Sequence, residues 1–135
     1  MCGFLFNFSI TGEFKNFKEE LFVNNFNTII HRGPDESGFI FKKNYAVGSC
    51  RLKIFDLVNG KMPLYDESKR YFIVYNGEIY NFKELKKRYK IETTSNTDTE
   101  VLLKLYITIG ESFLNELNGM YSFIIYDTKK NTFFC

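Results

Sequence analysis

Apolar residues along this chain fall into short runs separated by polar clusters, and the spacing within each run distinguishes strands from helices. Continuous or alternating apolar runs predict strands at residues 3–10, 39–42, 45–55, 71–75, 120–127 and 132–135. Stripes close to the helical period predict helices at 16–30, 81–89, 97–109 and 111–117. The strands and helices come in blocks rather than in strict alternation, which indicates an α+β layered domain.

The predicted helices carry local start and stop signals. A residue that can cap a helix stands three positions before a glutamate at Asn16, Asn81 and Thr97, which is the spacing of a capping box. Gly110 follows the third helix and is expected to end it. Residues 31–38 (H-R-G-P-D-E-S-G) are polar and contain two glycines and a proline, so they predict a loop that faces a site.

Composition and charge narrow the functional classes. The 135 residues suffice for one domain or part of one, and the net charge of +2 comes from interspersed charges, which argues against a nucleic-acid partner. The three cysteines and the single histidine match neither a disulfide framework nor a metal site. No run approaches the roughly 20 apolar residues of a membrane span, and no secretory signal is evident. We therefore expect a cytoplasmic protein without membrane contact.

Cys2 is the first candidate for chemistry. If Met1 is removed, Cys2 carries both a thiol nucleophile and a free α-amine, which can act as its general base near neutral pH. The alternative is an inert cysteine near a terminus, and its position alone does not decide between the two.

Asn76 and Gly77 follow directly on the apolar run at 71–75. Asn-Gly is the strongest short signal for a type I′ hairpin turn. A side-chain amide beside a glycine N–H can also direct two donors at one point, as an oxyanion hole requires. Because a predicted helix rather than a strand follows, both interpretations stay open.

Arg51 and Asp98 are candidates for holding a charged substrate. Arg51 lies in a predicted strand, where it either faces solvent or grips a carboxylate with its planar guanidinium. Asp98 opens a predicted helix, where it either complements the helix dipole or pairs with an ammonium group. Together the two side chains would recognise the two charged ends of a free amino acid. His31 is interpreted as a loop residue, with a role as a catalytic base for Cys2 or Cys50 as the alternative.

Taken in order, the polar clusters resemble one family. The segments M-C-G, H-R-G-P-D-x-S-G, R-L-x-I-x-D, P-L-Y, N-G-E-I-Y-N and T-D-T-E-V-L-L are similar to the N-terminal glutaminase domain of glutamine-hydrolysing asparagine synthetases. Related glutaminase domains of sugar and purine pathways share the cysteine start but differ around the arginine and lack the R-G-P-D proline. The asparagine synthetase type is therefore favoured.

The resemblance implies a fold and a set of roles. The fold would be an N-terminal-nucleophile (Ntn) hydrolase sandwich of four αββα layers, with two antiparallel sheets. Cys2 would attack the glutamine amide, and Asn76 and Gly77 would stabilise the oxyanion. The residues implied to bind L-glutamine are Arg51, Leu52, Ile54, Asn76, Gly77, Glu78 and Asp98. The loop at 32–35 would help to close the pocket and shape the path of ammonia.

The resemblance also sets expectations about completeness. The family continues with a synthetase domain that binds ATP, Mg²⁺ and aspartate, so residues 1–135 are expected to be an incomplete, C-terminally truncated glutamine amidotransferase domain that itself needs no cofactor or metal. The expected partners are L-glutamine, the synthetase domain and, through exposed strand edges, a second copy in a homodimer. The alternatives are an amidotransferase with another ammonia acceptor, in a surface-sugar or antibiotic pathway, and an inactive glutaminase-like interaction module.

Overall fold

A computed structural model describes residues 2–53 and 60–135. Its strands are β1 (Gly3–Phe8), β2 (Glu36–Phe41), β3 (Tyr45–Arg51), β4 (Leu64–Tyr65), β5 (Tyr71–Ile79), β6 (Gly119–Asp127) and β7 (Thr132–Phe134). Its α-helices are α1 (Glu19–Asn27), α2 (Phe82–Arg88) and α3 (Asp98–Ile109), and 3₁₀ helices span Ile30–Arg32 and Gly110–Glu116.

The strands form two antiparallel sheets. The first has the order β1-β3-β2 and the second the order β4-β5-β6-β7. β3 is the central strand of the first sheet and is buried along its whole length. β5 and β6 pair over nine residues each and form the centre of the second sheet.

Aromatic residues fill the space between the two sheets. Tyr45 of β3 packs against Phe72 of β5 and Tyr126 of β6, with ring centroids 5.7 and 4.4 Å apart. Phe6 and Phe8 of β1 lie 6.2 and 6.1 Å from the Tyr126 ring. These contacts bury one face of each sheet against the other, as in a sheet-on-sheet sandwich.

Helices cover the two outer faces. Phe22 and Phe26 of α1 pack so closely on β3 that a Cβ added at Gly48 would lie 2.7 Å from the Phe26 ring. On the other side, residues of α2 and α3 share a buried cluster with the opposite face of β5. The layers therefore run helix, sheet, sheet, helix, and the predicted α+β sandwich of two antiparallel sheets is confirmed.

Two strands were predicted with the wrong C-terminal end, and both ends lie near the pocket described below. The strand predicted at 71–75 continues to Ile79, and Asn76 and Gly77 pair with Ser122 and Tyr121 of β6. The hairpin-turn interpretation of Asn76-Gly77 is therefore wrong, because tertiary pairing with β6 overrides the local turn signal. The strand predicted at 45–55 ends at Arg51, and residues 54 and 55 lie outside the described part of the chain.

The capping-box predictions had different outcomes. Thr97 caps α3 by accepting from the backbone N–H of Glu100 (3.4 Å), and Gly110 ends this helix with a φ of 63°. The first helix begins at Glu19 without a side-chain cap, so Asn16 is not its cap. The Asn81 side chain does not cap α2 either. It donates instead to the carbonyl of Glu116 (2.8 Å) and accepts from Asn118 N–H (3.0 Å), fixing the loop before β6.

None of the helices in the described ranges is long and apolar enough to cross a membrane.

Candidate active site

A pocket of about 680 Å³ lies where the end of β3, the second half of β5 and the start of α3 meet Cys2. Six of the residues predicted to form the site line this pocket: Cys2, Arg51, Leu52, Gly77, Glu78 and Asp98. Asn76 lies in β5 between two lining residues but does not line the pocket itself. Ile54, predicted to line it, lies outside the described residues. The sequence therefore identified groups that the fold brings together from four separate segments.

Cys2 is fixed at the pocket by the strand that follows it. Gly3 pairs with Cys50 of β3, and the Cys2 carbonyl accepts a hydrogen bond from Arg32 Nε (3.2 Å). A Cβ at Gly3 would lie 3.1 Å from the Cys50 sulfur and 3.3 Å from the Arg32 side chain, so only glycine fits here without displacement. Cys2 is half-buried, which leaves its thiol accessible from the pocket.

Cys50 and His31 do not belong to the pocket. Cys50 is fully buried on the far side of β3, its thiol donates to the Ile29 carbonyl (3.4 Å), and burial raises its pKa. His31 is exposed in the 3₁₀ helix Ile30–Arg32 and does not line the pocket. The alternative role of His31 as a catalytic base therefore gains no support.

One edge of β5 presents backbone donors toward the pocket. The Tyr80 N–H donates to the Asn118 carbonyl (2.8 Å) on the β6 side, whereas the Ile79 N–H donates to Asp98 Oδ2 (3.0 Å) on the other side. Backbone groups of an antiparallel strand alternate between its two sides, so the Gly77 N–H points to the same side as that of Ile79. Among the described strands, β4 borders this side of β5 only at residues 72 and 73, so no strand covers the edge at Gly77.

Gly77 is required at its position by close packing. A Cβ there would lie 2.3 Å from the Met120 carbonyl oxygen and 2.7 Å from the Tyr121 backbone. Any side chain would push β5 away from β6 at the point where the strand borders the pocket. The glycine therefore serves close approach of backbones rather than a turn.

The Asn76 side chain has no hydrogen-bond partner within residues 2–53 and 60–135, and its Oδ1 atom is buried. Buried amides are normally paired, so an uncommitted one is an exception that calls for an explanation. The buried Oδ1 atom is an acceptor, but the Nδ2 group of Asn76 makes no hydrogen bond within the same ranges either, so its N–H donors can serve a bound molecule. Asn76 and the Gly77 N–H are thus adjacent donors that the fold itself does not consume.

The acidic side of the pocket is formed by Asp98 and Glu78. Asp98 is the first residue of α3, and its Oδ2 accepts from the Tyr75 hydroxyl (2.6 Å) and from the Ile79 N–H (3.0 Å). Burial and the neighbouring Asp98 carboxylate raise the pKa of Glu78. Two carboxylates that border one pocket create a site suited to a cation.

Arg51 contributes a basic group to the lining of the same pocket. It is only 6% exposed, and its Nη1 lies 3.5 Å from Glu36 Oε2. Residues 31–38, predicted as one loop, contain the end of a 3₁₀ helix and the start of β2. The connection between them, residues 33–35, packs against Arg51, since the Asp35 N–H donates to the Arg51 carbonyl (3.1 Å) and Pro34 forms a bridge with Arg51. Gly60 abuts the guanidinium so closely that a Cβ would lie 2.1 Å from Nη2. The sequence interpretation of Arg51 as a solvent-facing strand residue is therefore wrong.

Three contributors to the site were missed from the sequence. Tyr75 ends an apolar run, so the sequence pattern indicates only a buried strand residue. Its hydroxyl directly precedes the candidate pair Asn76-Gly77, and that position could have marked it as a polar group near the site. Glu36 was interpreted only as part of a polar loop. Glu100 was assigned to a capping box, but its carboxylate reaches further back, accepting from the N–H groups of Thr94 (2.9 Å) and Ser95 (2.8 Å).

Glu100 thereby shapes the wall of the pocket. It is buried, and although burial opposes ionisation, hydrogen bonds from Ser95 and Thr94 lower its pKa. Lys104 lies 3.4 Å from the same carboxylate. Thr93 and residues 95–99 line the pocket, so this carboxylate holds one wall against the start of α3.

No group of three or more His, Cys, Asp and Glu side chains in the described ranges could hold a metal ion.

Comparison with known proteins places these features in a family. A family model described as a glutamine amidotransferase domain matches residues 1–135. A Methanocaldococcus jannaschii protein, provisionally named asparagine synthetase [glutamine-hydrolyzing] 2, is 46% identical over 87% of this chain and 26% of its own length. Asparagine synthetases [glutamine-hydrolyzing] of Zea mays and Bacillus subtilis are 37% and 38% identical over 98% and 94% of this chain.

These relatives match through only part of their length, since the chain spans about a quarter of each: 26%, 23% and 21% in the three cases. The resemblance drawn from the sequence motifs is nevertheless confirmed over the whole chain. The two-sheet sandwich, the pocket beside Cys2 and the family match agree with one another. This chain belongs to the glutamine amidotransferase domain family.

Proposed function

We propose that this domain hydrolyses the side-chain amide of L-glutamine and that Cys2 is the nucleophile. The observation that carries the proposal is the convergence of Cys2, Arg51, Gly77 and Asp98 on one pocket from separate segments. A thiol, a guanidinium, an uncovered backbone N–H and a carboxylate are the groups needed to bind an amino acid and attack its amide.

Removal of Met1 is a single processing step that precedes catalysis and frees the α-amine of Cys2. The Cys2 sulfur attacks the amide carbon while the α-amine takes the thiol proton. The tetrahedral oxyanion accepts hydrogen bonds from Asn76 Nδ2 and the Gly77 N–H. The C–N bond then breaks as the α-ammonium gives this proton to the departing –NH2 group, which leaves as ammonia. Water hydrolyses the remaining thioester to glutamate and restores the Cys2 thiol.

The charged ends of glutamine determine how it lies in the pocket. The Arg51 guanidinium lines the pocket and binds the α-carboxylate, because its planar fork of donors matches the geometry of a carboxylate. Asp98 and Glu78 bind the α-ammonium. The Gly77 and Ile79 nitrogens lie two residues apart on one strand, about 7 Å by strand geometry. Asp98 accepts the Ile79 N–H and therefore lies beside Ile79. The separation suits a molecule whose side-chain amide lies at Gly77 and whose ammonium lies at Asp98.

The ammonia, we further propose, serves asparagine synthesis. The relatives named above carry that activity in their names and are about four times longer than this chain. A synthetase domain of the kind implied by the motifs would supply ATP, Mg²⁺ and aspartate. Another acceptor, in a sugar or antibiotic pathway, is the alternative outcome, and adding aspartate with ATP to the assembled protein distinguishes them by whether asparagine appears.

The central test removes the nucleophile. Cys2→Ala is expected to abolish ammonia release from glutamine, because no other group of the pocket can form the thioester. Cys135→Ala, which removes an exposed thiol far along the chain, is the matched control and should retain full activity. Intact mass should show loss of Met1 and a single adduct of the wild type with 6-diazo-5-oxo-norleucine.

Two results would overturn the proposal. One is ammonia release by Cys2→Ala at the wild-type rate. The other is retention of Met1 in a protein that neither releases ammonia nor reacts with the electrophile, which would favour an inactive interaction module.

A further inference from the structure

Tyr75 is a pocket residue that the mechanism above does not use. It lies in β5 directly before Asn76 and lines the pocket together with Cys2 and Gly77. Its hydroxyl donates to Asp98 Oδ2 at 2.6 Å, among the shortest hydrogen bonds of the site. Charge-assisted hydrogen bonds of this length are the strong ones.

The two donors that hold Asp98 both reach the same oxygen. The Tyr75 hydroxyl and the Ile79 N–H meet at Oδ2, and Oδ1 has no hydrogen-bond donor within the described ranges. The carboxylate is thus fixed in one orientation by two rigid donors from one strand. Its second oxygen remains an acceptor for a molecule bound in the pocket that Asp98 lines.

Tyr75 is well suited to act as a fixed donor. Its side chain is only 4% exposed and belongs to the buried cluster that contains Ile73, Ile79 and Leu102. Burial, and next the hydrogen bond to Asp98, raises its pKa far above the ordinary range. The hydroxyl therefore keeps its proton at neutral pH and donates it to the carboxylate.

We propose that Tyr75 is a positioning residue that makes the pocket selective for amides carrying an α-ammonium group. By occupying Oδ2, it presents Asp98 Oδ1 to the ammonium of the substrate and fixes the distance from there to the oxyanion donors. This inference rests on the proposed glutaminase function and adds a specificity determinant to it.

The test compares two substrates that differ only in the α-amine: glutamine and glutaramate, which is glutamine without that amine. For Tyr75→Phe, which keeps the ring and its packing, the KM for glutamine is expected to rise on the order of 10-fold. The value of kcat should stay within about twofold, because the ammonium is bound equally in the ground and transition states. The KM for glutaramate should not change.

Tyr126→Phe is the matched control. Tyr126 is also a buried tyrosine with a bonded hydroxyl, 3.0 Å from Asn44 Nδ2, but it lies between the sheets away from the pocket. We expect a lower melting temperature without a change in either KM. A general loss of rigidity would instead raise the KM values for glutamine and for glutaramate in both variants.

Two further variants keep the proposal open to refutation. p-Aminophenylalanine at position 75 restores a neutral N–H donor and should recover part of the affinity for glutamine, including when Tyr75→Phe folds poorly. In the background of Asp98→Asn, adding Tyr75→Phe should cause no further rise in KM, because the oriented carboxylate is already absent.

The outcomes separate the two proposals. Equal KM values for glutamine in the wild type and Tyr75→Phe, or parallel changes for both substrates, would overturn the role of Tyr75 while leaving the glutaminase function intact. Failure of the wild type to release ammonia would instead overturn the glutaminase. Calorimetric titration of Cys2→Ala with both ligands would then decide whether the pocket still prefers the α-amino compound.

Discussion

The two ends of strand β5 carry polar clusters of opposite character. At its start, Asp127 accepts two hydrogen bonds from Arg70 Nε (3.1 Å each) and one from Nη2 (2.6 Å), together with the backbone N–H groups of Lys129 and Lys130. Every acceptor of this carboxylate is used within the protein. We call Arg70, Asp127 and these two backbone donors the closed cluster.

At the other end, the groups exceed the partners that the fold supplies. Asn76 has an unpartnered amide within the described chain, Asp98 uses one of its two oxygens, and Gly77 turns its N–H to an edge without a neighbouring strand. We call these three residues the open cluster. A closed cluster stabilises the fold because all its polar groups are paired. An open cluster lowers the stability of the fold until a bound molecule supplies the missing hydrogen-bond partners.

The sharpest test of this contrast is Asn76→Ala. The loss of an oxyanion donor is expected to lower kcat by a factor on the order of 10²–10³. The free energy of unfolding should not fall, because the amide makes no hydrogen bond that the variant would lose. Steady-state ammonia release and urea denaturation measure the two quantities.

Asn44→Ala is the matched control for this prediction. Asn44 is likewise a buried amide, but its Nδ2 donates to the Tyr126 hydroxyl (3.0 Å). Its removal should destabilise the protein and leave kcat unchanged. If Asn76→Ala instead lost stability and kept its activity, Asn76 would be structural and the open cluster would lose its main member.

In the closed cluster we expect the opposite result. Asp127→Asn removes the charge that Arg70 grips, and the melting temperature should fall by about 5–10 °C. Ammonia release below that temperature should stay within about twofold of the wild type, since the cluster lies at the far end of β5 from the pocket. Thermal unfolding by circular dichroism and initial rates at 25 °C provide the comparison.

The same substitution changes the response to acid. Hydrogen bonds from Arg70 lower the pKa of Asp127 well below its ordinary value. A lowered pKa in the folded state contributes stability that is fully present above the unfolded pKa of about 3.9 and is lost as the pH falls below it. The wild type should therefore lose stability as the pH falls below about 4, and Asp127→Asn should show a shallower slope. Identical slopes would contradict the assignment.

The sequence was most informative where local pattern and tertiary structure agree. The apolar runs located β1, β5, β6 and β7, and the Thr97 cap and Gly110 placed both ends of α3. The site residues came from the order of the motifs, because pockets of this kind draw single residues from distant segments. No local rule could state that Arg51 and Asp98 line the same pocket.

The misses share a physical cause. Asn76-Gly77 has a turn signal and Asn81 a capping signal, but pairing with β6 and the carbonyl of Glu116 offered these groups better partners. The partners of Tyr75 and Arg51 likewise depend on which strand faces which loop. Such long-range pairings follow from the assembled sheets and are not encoded in neighbouring residues.

The smallest effect that we predict concerns Glu78, whose pKa is shifted in the opposite direction to that of Asp127. Burial, with the nearby Asp98 carboxylate, raises the pKa of Glu78. A raised pKa contributes stability that is present below the unfolded pKa of about 4.3 and is lost as the pH rises through the folded value. Ionised Glu78 is therefore a cost to the fold at neutral pH, kept at the pocket where a ligand ammonium would offset it.

Glu78→Gln should consequently unfold at a slightly higher temperature than the wild type at pH 7 and at the same temperature at pH 3, where both side chains are neutral. Glutamine should reverse the order at pH 7, because it stabilises the wild type more than the variant when the ammonium pairs with Glu78. Thermal shift at the two pH values, with and without glutamine on the Cys2→Ala background, provides the measurement. A variant that is less stable than the wild type at pH 7 without ligand would show that Glu78 is stabilised within the fold, as Asp127 is. The contrast between the two ends of β5 would then fail at this residue.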